Sequence, residues 1–400
     1  MAQALSSWIR HFEHLALSMS DGQEDEYDDD APVVIIDNGS GVCKAGLSTS
    51  QQPTVVFPEI IGRPRERWKP SLDMDFYCGD EVAEHRSKLS VSYPLQNGII
   101  ENFEEMQWLW DYTFKALGVN AGEHPVLLTE PPYNPRPNRE RMVEIMFEYY
   151  MVPTLNISIQ GVLALLGQGR TTGLVLDSGE GVTHTIPIFD GFGYTPHIKR
   201  LDLAGRDLNT LLAKLLAQEG NSLTTTEAQH HVRIMKETFC YCALDPASEF
   251  AEAVQYKLPD GREVTLTDER WKCPEALFNP SMAGIESQGV ASIVWESISK
   301  CDIDVRRTLL NNVVLSGGST MFPGFSERLA KDLREKAPTA AQANIKVVQT
   351  RDQNQKYAVW SGAQVFASLR GMQDDQWMTI EDYDEFGASF IHDKIAVKFS

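Results

Sequence analysis

The chain has 400 residues, a net charge of -20, and 42% apolar and 23% charged residues. That length admits two domains with substantial cores. No apolar run approaches the roughly 18–20 residues of a membrane span, the N-terminus lacks the basic and apolar regions of a signal peptide, and the acidic excess argues against nucleic-acid binding and for basic partners or solubility.

Residues 1–31 read apart from the rest. Leu5, Trp8, Ile9, Phe12 and Leu15 fall at helical spacing, with Ser6 or Ser7 as N-cap. An acidic tether over 21–30 follows. The pair reads either as a frayed tail or as a docking helix on an acidic linker.

The next stretch organises the chain. Val33-Val34-Ile35-Ile36 predicts a buried strand that ends in Asp37-Asn38-Gly39-Ser40-Gly41, with Lys44 just beyond. Glycines there let backbone N–H groups approach an anion. A lysine meets phosphate as a point charge, and an aspartate at the strand end can hold magnesium directly or through water. One such stretch is equally an ordinary hairpin. The pattern recurs, however, in Leu174-Val175-Leu176-Asp177-Ser178-Gly179-Glu180-Gly181, about one domain length later. A third glycine cluster, Leu315-Ser316-Gly317-Gly318-Ser319-Thr320-Met321, follows Val313-Val314. Three such loops predict a nucleotide cleft between duplicated units.

Between these loops the pattern predicts a polar segment from Gly62 to Glu81 and a helix over 102–114. A short strand over 126–129 and a helix over 138–150 come next. An apolar helix over 157–166 carries one polar residue, Gln160. Further on come helices from about 201 to 218 and over 232–242, then two short strands joined by a turn at 258–261. A helix over 290–300 and a strand over 344–348 follow, before the chain recrosses through 356–363. Strands alternating with helices predict an α/β architecture. The six cysteines (Cys43, Cys78, Cys240, Cys242, Cys273 and Cys301) show no zinc spacing and read as buried free thiols of a reducing compartment.

Together these residues resemble the actin family over about 32–393. The likeness lies in Asp37-Asn38-Gly39-Ser40-Gly41, Leu127-Leu128-Thr129-Glu130, Gly169-Arg170-Thr171-Thr172-Gly173, Asp177-Ser178-Gly179, Gly181-Val182-Thr183-His184, Leu201-Asp202-Leu203-Ala204-Gly205-Arg206-Asp207 and Val314-Leu315-Ser316-Gly317-Gly318. The resemblance implies an actin-like ATPase fold: two duplicated domains, each with a smaller subdomain, around a cleft for ATP or ADP and Mg2+ or Ca2+. It divides the chain into 1–31, a first domain over 32–170 with 360–400 returning to it, and a second over 171–359. It sets Ser40, Gly41, Val42 and Lys44 against the phosphates from one side, and Gly179, Glu180, Gly181 and Val182 from the other. It gives the metal to Asp37 and Asp177 through water, and the attacking water to Gln160 and His184. Asp202, Gly205, Lys236, Glu237, Gly317, Gly318, Met321 and Lys356 match positions around ribose and adenine.

The family likeness also implies slow ATP hydrolysis and a cytoplasmic, cytoskeletal setting. Partners would be copies of itself, other actin-family subunits, or actin-binding and motor-complex proteins. Some local wording, such as Ala83-Glu84-His85-Arg86, is similar to the centractin-like branch of the family. The wider superfamily includes sugar kinases, which would need a catalytic aspartate that no segment supplies.

The sequence also departs from actin. Glu180 stands where actins carry aspartate. Gly161 and Gly167 replace larger residues and are expected to loosen their helix by roughly 1 kcal/mol each relative to alanine. Asn97 occupies the position of a histidine that actins often methylate. The loops at 66–78, 242–256 and 280–285 differ more than the cleft does, which leaves two roles open: filament subunit, or member of a fixed complex.

Overall fold

The computed structural model describes residues 31–348, 353–370 and 374–394. The amphipathic helix and acidic tether read at 1–31 therefore lie outside the described residues, apart from Ala31.

Two sheets carry the molecule. In the first, the order is Met378–Thr379, Thr154–Ile159, Val126–Glu130, Val34–Asp37, Val42–Leu47, Val55–Pro58. Val34–Asp37 lies antiparallel to Val42–Leu47 and parallel to Val126–Glu130. All four of its residues are buried, as a strand covered on both faces requires. The second sheet repeats this plan. Gly173–Ser178 lies antiparallel to Thr183–Phe189 and parallel to Val313–Ser316. Even the register repeats: Asp37 stands opposite Lys44, and Asp177 opposite His184. The chain also returns late to the first sheet, where Met378–Thr379 pairs with Thr154–Ile159.

Each sheet has its own apolar core. Helix Phe103–Leu117 covers the first, burying Met106, Leu109, Trp110 and Phe114. The Asn102 side chain caps it by accepting from Glu105 N–H, and Gly118 ends it in the left-handed region at φ 69. Helices Gly205–Gln218, Val290–Lys300 and Phe325–Lys336 enclose the second core. A smaller three-stranded sheet, with Ile61–Pro64 between Tyr77–Cys78 and Leu89–Ser92, stands above the first sheet on its own cluster of Ile60, Tyr77, Val82 and Leu89.

Helices Gln160–Leu166 and Ala358–Ser368 pack together between the two sheets. Their contact is made by backbone. A Cβ on Gly362 would lie 1.7 Å from the Leu163 carbonyl oxygen, and one on Gly167 would lie 2.7 Å from that of Ala358. Gly161 is confined by a side chain rather than by backbone, since its Cβ would meet Ile186 Cδ1 at 2.3 Å. The expectation that Gly161 and Gly167 loosen this helix is thus corrected. Helix propensity is outweighed by close packing that a side chain would prevent.

Other boundaries also move. The helix predicted over 157–166 is strand Thr154–Ile159 followed by helix Gln160–Leu166. Parallel pairing of Ile157 and Ile159 with Val126–Glu130 settles the β-branched residues as strand. The helix predicted over 138–150 is Arg136–Glu144, passing into a π-helical turn at Ile145–Tyr149. Helix Thr226–Phe239 starts earlier than predicted, because the Thr225 hydroxyl caps it at Ala228 N–H. The strand predicted over 344–348 shrinks to Val347–Val348. The hairpin at 258–261 joins strands Val254–Lys257 and Glu263–Leu266 as expected. All six cysteines are free and buried. Among the described residues, no helix is long and apolar enough to cross a membrane.

Candidate functional site

The two hairpin turns meet tip to tip between the sheets. A Cβ on Gly41 would lie 2.8 Å from the Glu180 Cβ, and one on Gly181 would lie 2.7 Å from the Ser40 hydroxyl. Beside them opens a cavity of about 490 Å³. Its lining includes Asp37, Ser40, Gly41, Val42 and Lys44 from the first hairpin and Asp177, Gly179, Glu180, Gly181 and Val182 from the second. Gln160, Lys236, Glu237, Gly317, Gly318, Met321 and Lys356 complete the predicted set that lines it.

Three predicted residues stand outside that lining. His184 is buried behind the second hairpin, at 1% exposure. Gly205 backs Glu180, so closely that a Cβ there would lie 2.6 Å from Glu180 Oε2. Asp202 is exposed and accepts a bond from Arg200 Nε at 2.7 Å.

Asp37 is the most heavily bonded group in the cleft. It accepts from Lys44 Nζ at 2.8 Å, Thr129 Oγ1 at 2.8 Å and Gln160 Nε2 at 3.3 Å. Gln160 also donates to the Asn38 carbonyl at 2.9 Å. Burial works against the Lys44 ammonium, but Asp37 outweighs it and lifts the lysine above its ordinary value. Across the cavity, burial raises the Asp177 carboxyl. A hydrogen bond from Ser316 resists this, Asp37 adds to it, and Lys44 resists again. Asp37 and Asp177 thus face the same cleft on either side of Lys44, and a cation between them would relieve both their desolvation and their mutual repulsion. Burial, then Arg200, lowers the His184 imidazole to about 3, so the ring is neutral. Its Nε2 is buried without a hydrogen-bond partner.

A sequence profile described as actin matches residues 28–396. The chain belongs to the actin family. Members of that family generally bind a nucleotide and a divalent cation, and the residues of this actin-family chain fit both. The two turns offer glycine backbone on either side of the cavity, and at Gly41 and Gly181 a Cβ would collide with the opposite turn. Among the described residues, no group of three or more His, Cys, Asp or Glu could hold a metal by itself. The acidic groups facing each other across the hairpins are Asp37 and Asp177, which suits a cation completed by water and phosphate oxygens.

The departures from actin take shape here. The longer Glu180 side chain lies along the wall that Gly205 leaves free. Its Oε1 accepts from Asn209 Nδ2 at 3.3 Å, and its Oε2 stands 3.9 Å from Lys236 Nζ. Lys236 itself donates to the Gly205 carbonyl at 2.7 Å. Asn97 and Gly98 form a turn with φ of 50 and 82, between strands Leu95–Gln96 and Ile99–Ile100. Gly98 N–H donates to the Ser40 hydroxyl at 2.8 Å, tying that turn to the first hairpin.

Sequence reasoning missed several lining residues: Gly98, Pro131, Arg233, Phe322 and Tyr357. Arg233 lies three positions before Lys236 on one helix, so helical spacing could have found it. Phe322 and Tyr357 directly follow Met321 and Lys356. Glu59 carried no signal. It is 1% exposed, and neither carboxyl oxygen has a hydrogen-bond partner. Burial raises its pKa well above the ordinary value, Asp37 adds to this and Lys44 opposes it.

Proposed function

We propose that this actin-family protein is an ATP-binding cytoskeletal subunit with slow hydrolysis, which either forms filaments or serves in a larger cytoskeletal or motor complex. The observation that carries this reading is the pair of Asp-ended hairpins meeting across one cavity. The phosphates would lie between Ser40, Gly41, Val42 and Lys44 on one side and Gly179, Glu180, Gly181 and Val182 on the other. Lys236, Glu237, Gly317, Gly318, Met321 and Lys356 would border the ribose and base. Asp202 and Gly205 remain in this proposal as outer neighbours of that wall.

A bound divalent cation supplies charge neutralisation and fixes phosphate geometry, and Asp37 and Asp177 would hold it through water. The remaining work belongs to the chain. Lys44 holds the Asp37 carboxyl in place through its 2.8 Å contact. The Gln160 amide nitrogen is committed to Asp37, Asn38 and Thr129, which leaves its carbonyl oxygen to orient a water. That oxygen can accept a hydrogen bond but is a poor base. His184 is neutral and can take part in positioning without carrying charge. Orientation without a strong base is consistent with slow turnover.

The test combines three measurements on the full chain with Mg2+. A fluorescent ATP analogue should bind and be displaced by ATP. Phosphate should be released slowly. Sedimentation with ATP separates the two roles, since a clean pellet marks a filament former and a persistent supernatant marks a subunit of a fixed complex. Phosphorylation of a small-molecule acceptor would replace this reading with a sugar kinase.

A further inference from the structure

The cleft has a mouth as well as a floor. It is closed where the turn Arg86–Lys88 meets helix Thr226–Phe239. Nearby, Arg206 bridges the same gap: its guanidinium lies 4.7 Å over the Tyr93 ring and donates to the Ser40 carbonyl at 3.5 Å. A mouth held by a few polar contacts between two separate cores can open without disturbing either core.

The charges that meet there are mostly of one sign. His230 sits on the rim as an exposed residue whose imidazole is partly desolvated. The turn that carries Arg86 packs against the His230 helix from the opposite side, and the Arg86 Nε is buried without a partner. On its own helix His230 faces His231, at 5.8 Å between ring centroids, and Arg233. The carboxylate that opposes them is Glu237, and Arg233 Nε already engages it at 2.8 Å. Glu180 also faces Arg233, and His231 Nδ1 is bonded to the Tyr256 hydroxyl at 2.7 Å. Desolvation, then Arg86, His231 and Arg233, lower the His230 imidazole, with Glu237 opposing.

We propose that His230 is a proton-operated latch on the cleft mouth: neutral, it lets the rim close against Arg86, and protonated, it repels Arg86 and releases the nucleotide. The latch rests on the cleft being the nucleotide site proposed above. Its sign follows from linkage. The closed mouth binds the His230 proton less tightly than the open one, so rising pH favours closure and falling pH favours opening. By reciprocity, a ligand that prefers the closed cleft lowers the His230 pKa further.

The experiment follows release of a fluorescent ATP analogue from the full Mg2+-loaded chain at about pH 5.5 and about pH 7.5. Release should be faster at the lower pH by about 5-fold or more. His230→Gln should lose that slope, and His231→Gln should keep it. His230→Glu puts a carboxylate opposite Arg86, so its release should be slower than wild type at both values. A second readout needs no nucleotide: amide exchange over 86–93 and 226–233, corrected for intrinsic rate, should rise at the lower pH in wild type but not in His230→Gln. A pH slope that survives in His230→Gln, or no slope in wild type by either readout, overturns the latch. If the chain binds no nucleotide but the exchange difference tracks His230, proton-driven opening of the rim stands, while the nucleotide reading and the release step that rests on it fall.

Discussion

Asp37 acts on two neighbours in opposite senses: it favours the charged form of Lys44 and disfavours that of Glu59. Lys44 neutralises Asp37 through a 2.8 Å contact. Lys44→Met removes a charge-assisted bond while keeping the bulk, so nucleotide affinity should fall by roughly 10- to 100-fold, measured by titration with the fluorescent analogue. Glu59 is buried with no bond to either oxygen. Its folded pKa is raised, so the folded chain holds this proton where the unfolded chain has lost it. Stability contributed by Glu59 is therefore full at pH values below the ordinary carboxylate pKa, about 4.3, and is lost as pH climbs toward the folded value. Glu59→Gln removes that loss. Urea midpoints of the variant relative to wild type should improve as pH rises from about 4 to about 8, and a constant difference across that range would contradict the buried neutral acid. Asp37 was legible in the sequence because its role is local: a strand, a turn and a lysine. Glu59 was not, because its environment is built by segments distant in sequence.

At the scale of elements, what the sequence disclosed depended on where the decisive partner lies. Both hairpins could be read directly, since a strand, its turn and its return are contiguous. The end of strand Thr154–Ile159 reads as helix in the sequence, over 157–159, because its partners, Val126–Glu130 and Met378–Thr379, are remote. The glycines of the central helix misled for the same reason. Gly161 and Gly167 look like helix-loosening residues until their neighbours, Ile186 and the backbone of Ala358–Ser368, are in place. Gly362→Ala should cost roughly 3 kcal/mol or prevent folding, because its methyl would enter a backbone carbonyl. Gly161→Ala should cost less, since it displaces only the Ile186 terminal methyl. Urea midpoints of the two variants should rank in that order; the reverse ranking would mean that helix propensity governs this contact after all.

For the whole molecule, the duplicated plan was the most legible feature, because two copies of one motif in one chain are improbable by accident. Assembly was the least legible, since it depends on surfaces whose partners are other molecules. The N-terminal segment belongs to this scale. Val34–Asp37 takes its hydrogen bonds from Val42–Leu47 and Val126–Glu130, so deleting 1–30 should leave the melting temperature within a few degrees of the full chain. The same deletion should change sedimentation with ATP or capture of partners. Unchanged behaviour in both would assign those residues no part in assembly.

The contact between Gly167 and Gly362 has a consequence for how the two halves can move. Where side chains separate two helices, their spacing drifts as rotamers change. Here two backbones touch, so the distance between the halves at that point is set by atomic radii alone. Closer approach is blocked there and sliding would drive carbonyls into backbone, so rotation about the contact is the softest coordinate that remains. A turn of a few degrees about such a pivot becomes a displacement of ångströms at the far rim, where His230 faces Arg86. The rim is therefore the end of a long lever, and small charges placed there act with the greatest mechanical advantage the molecule offers.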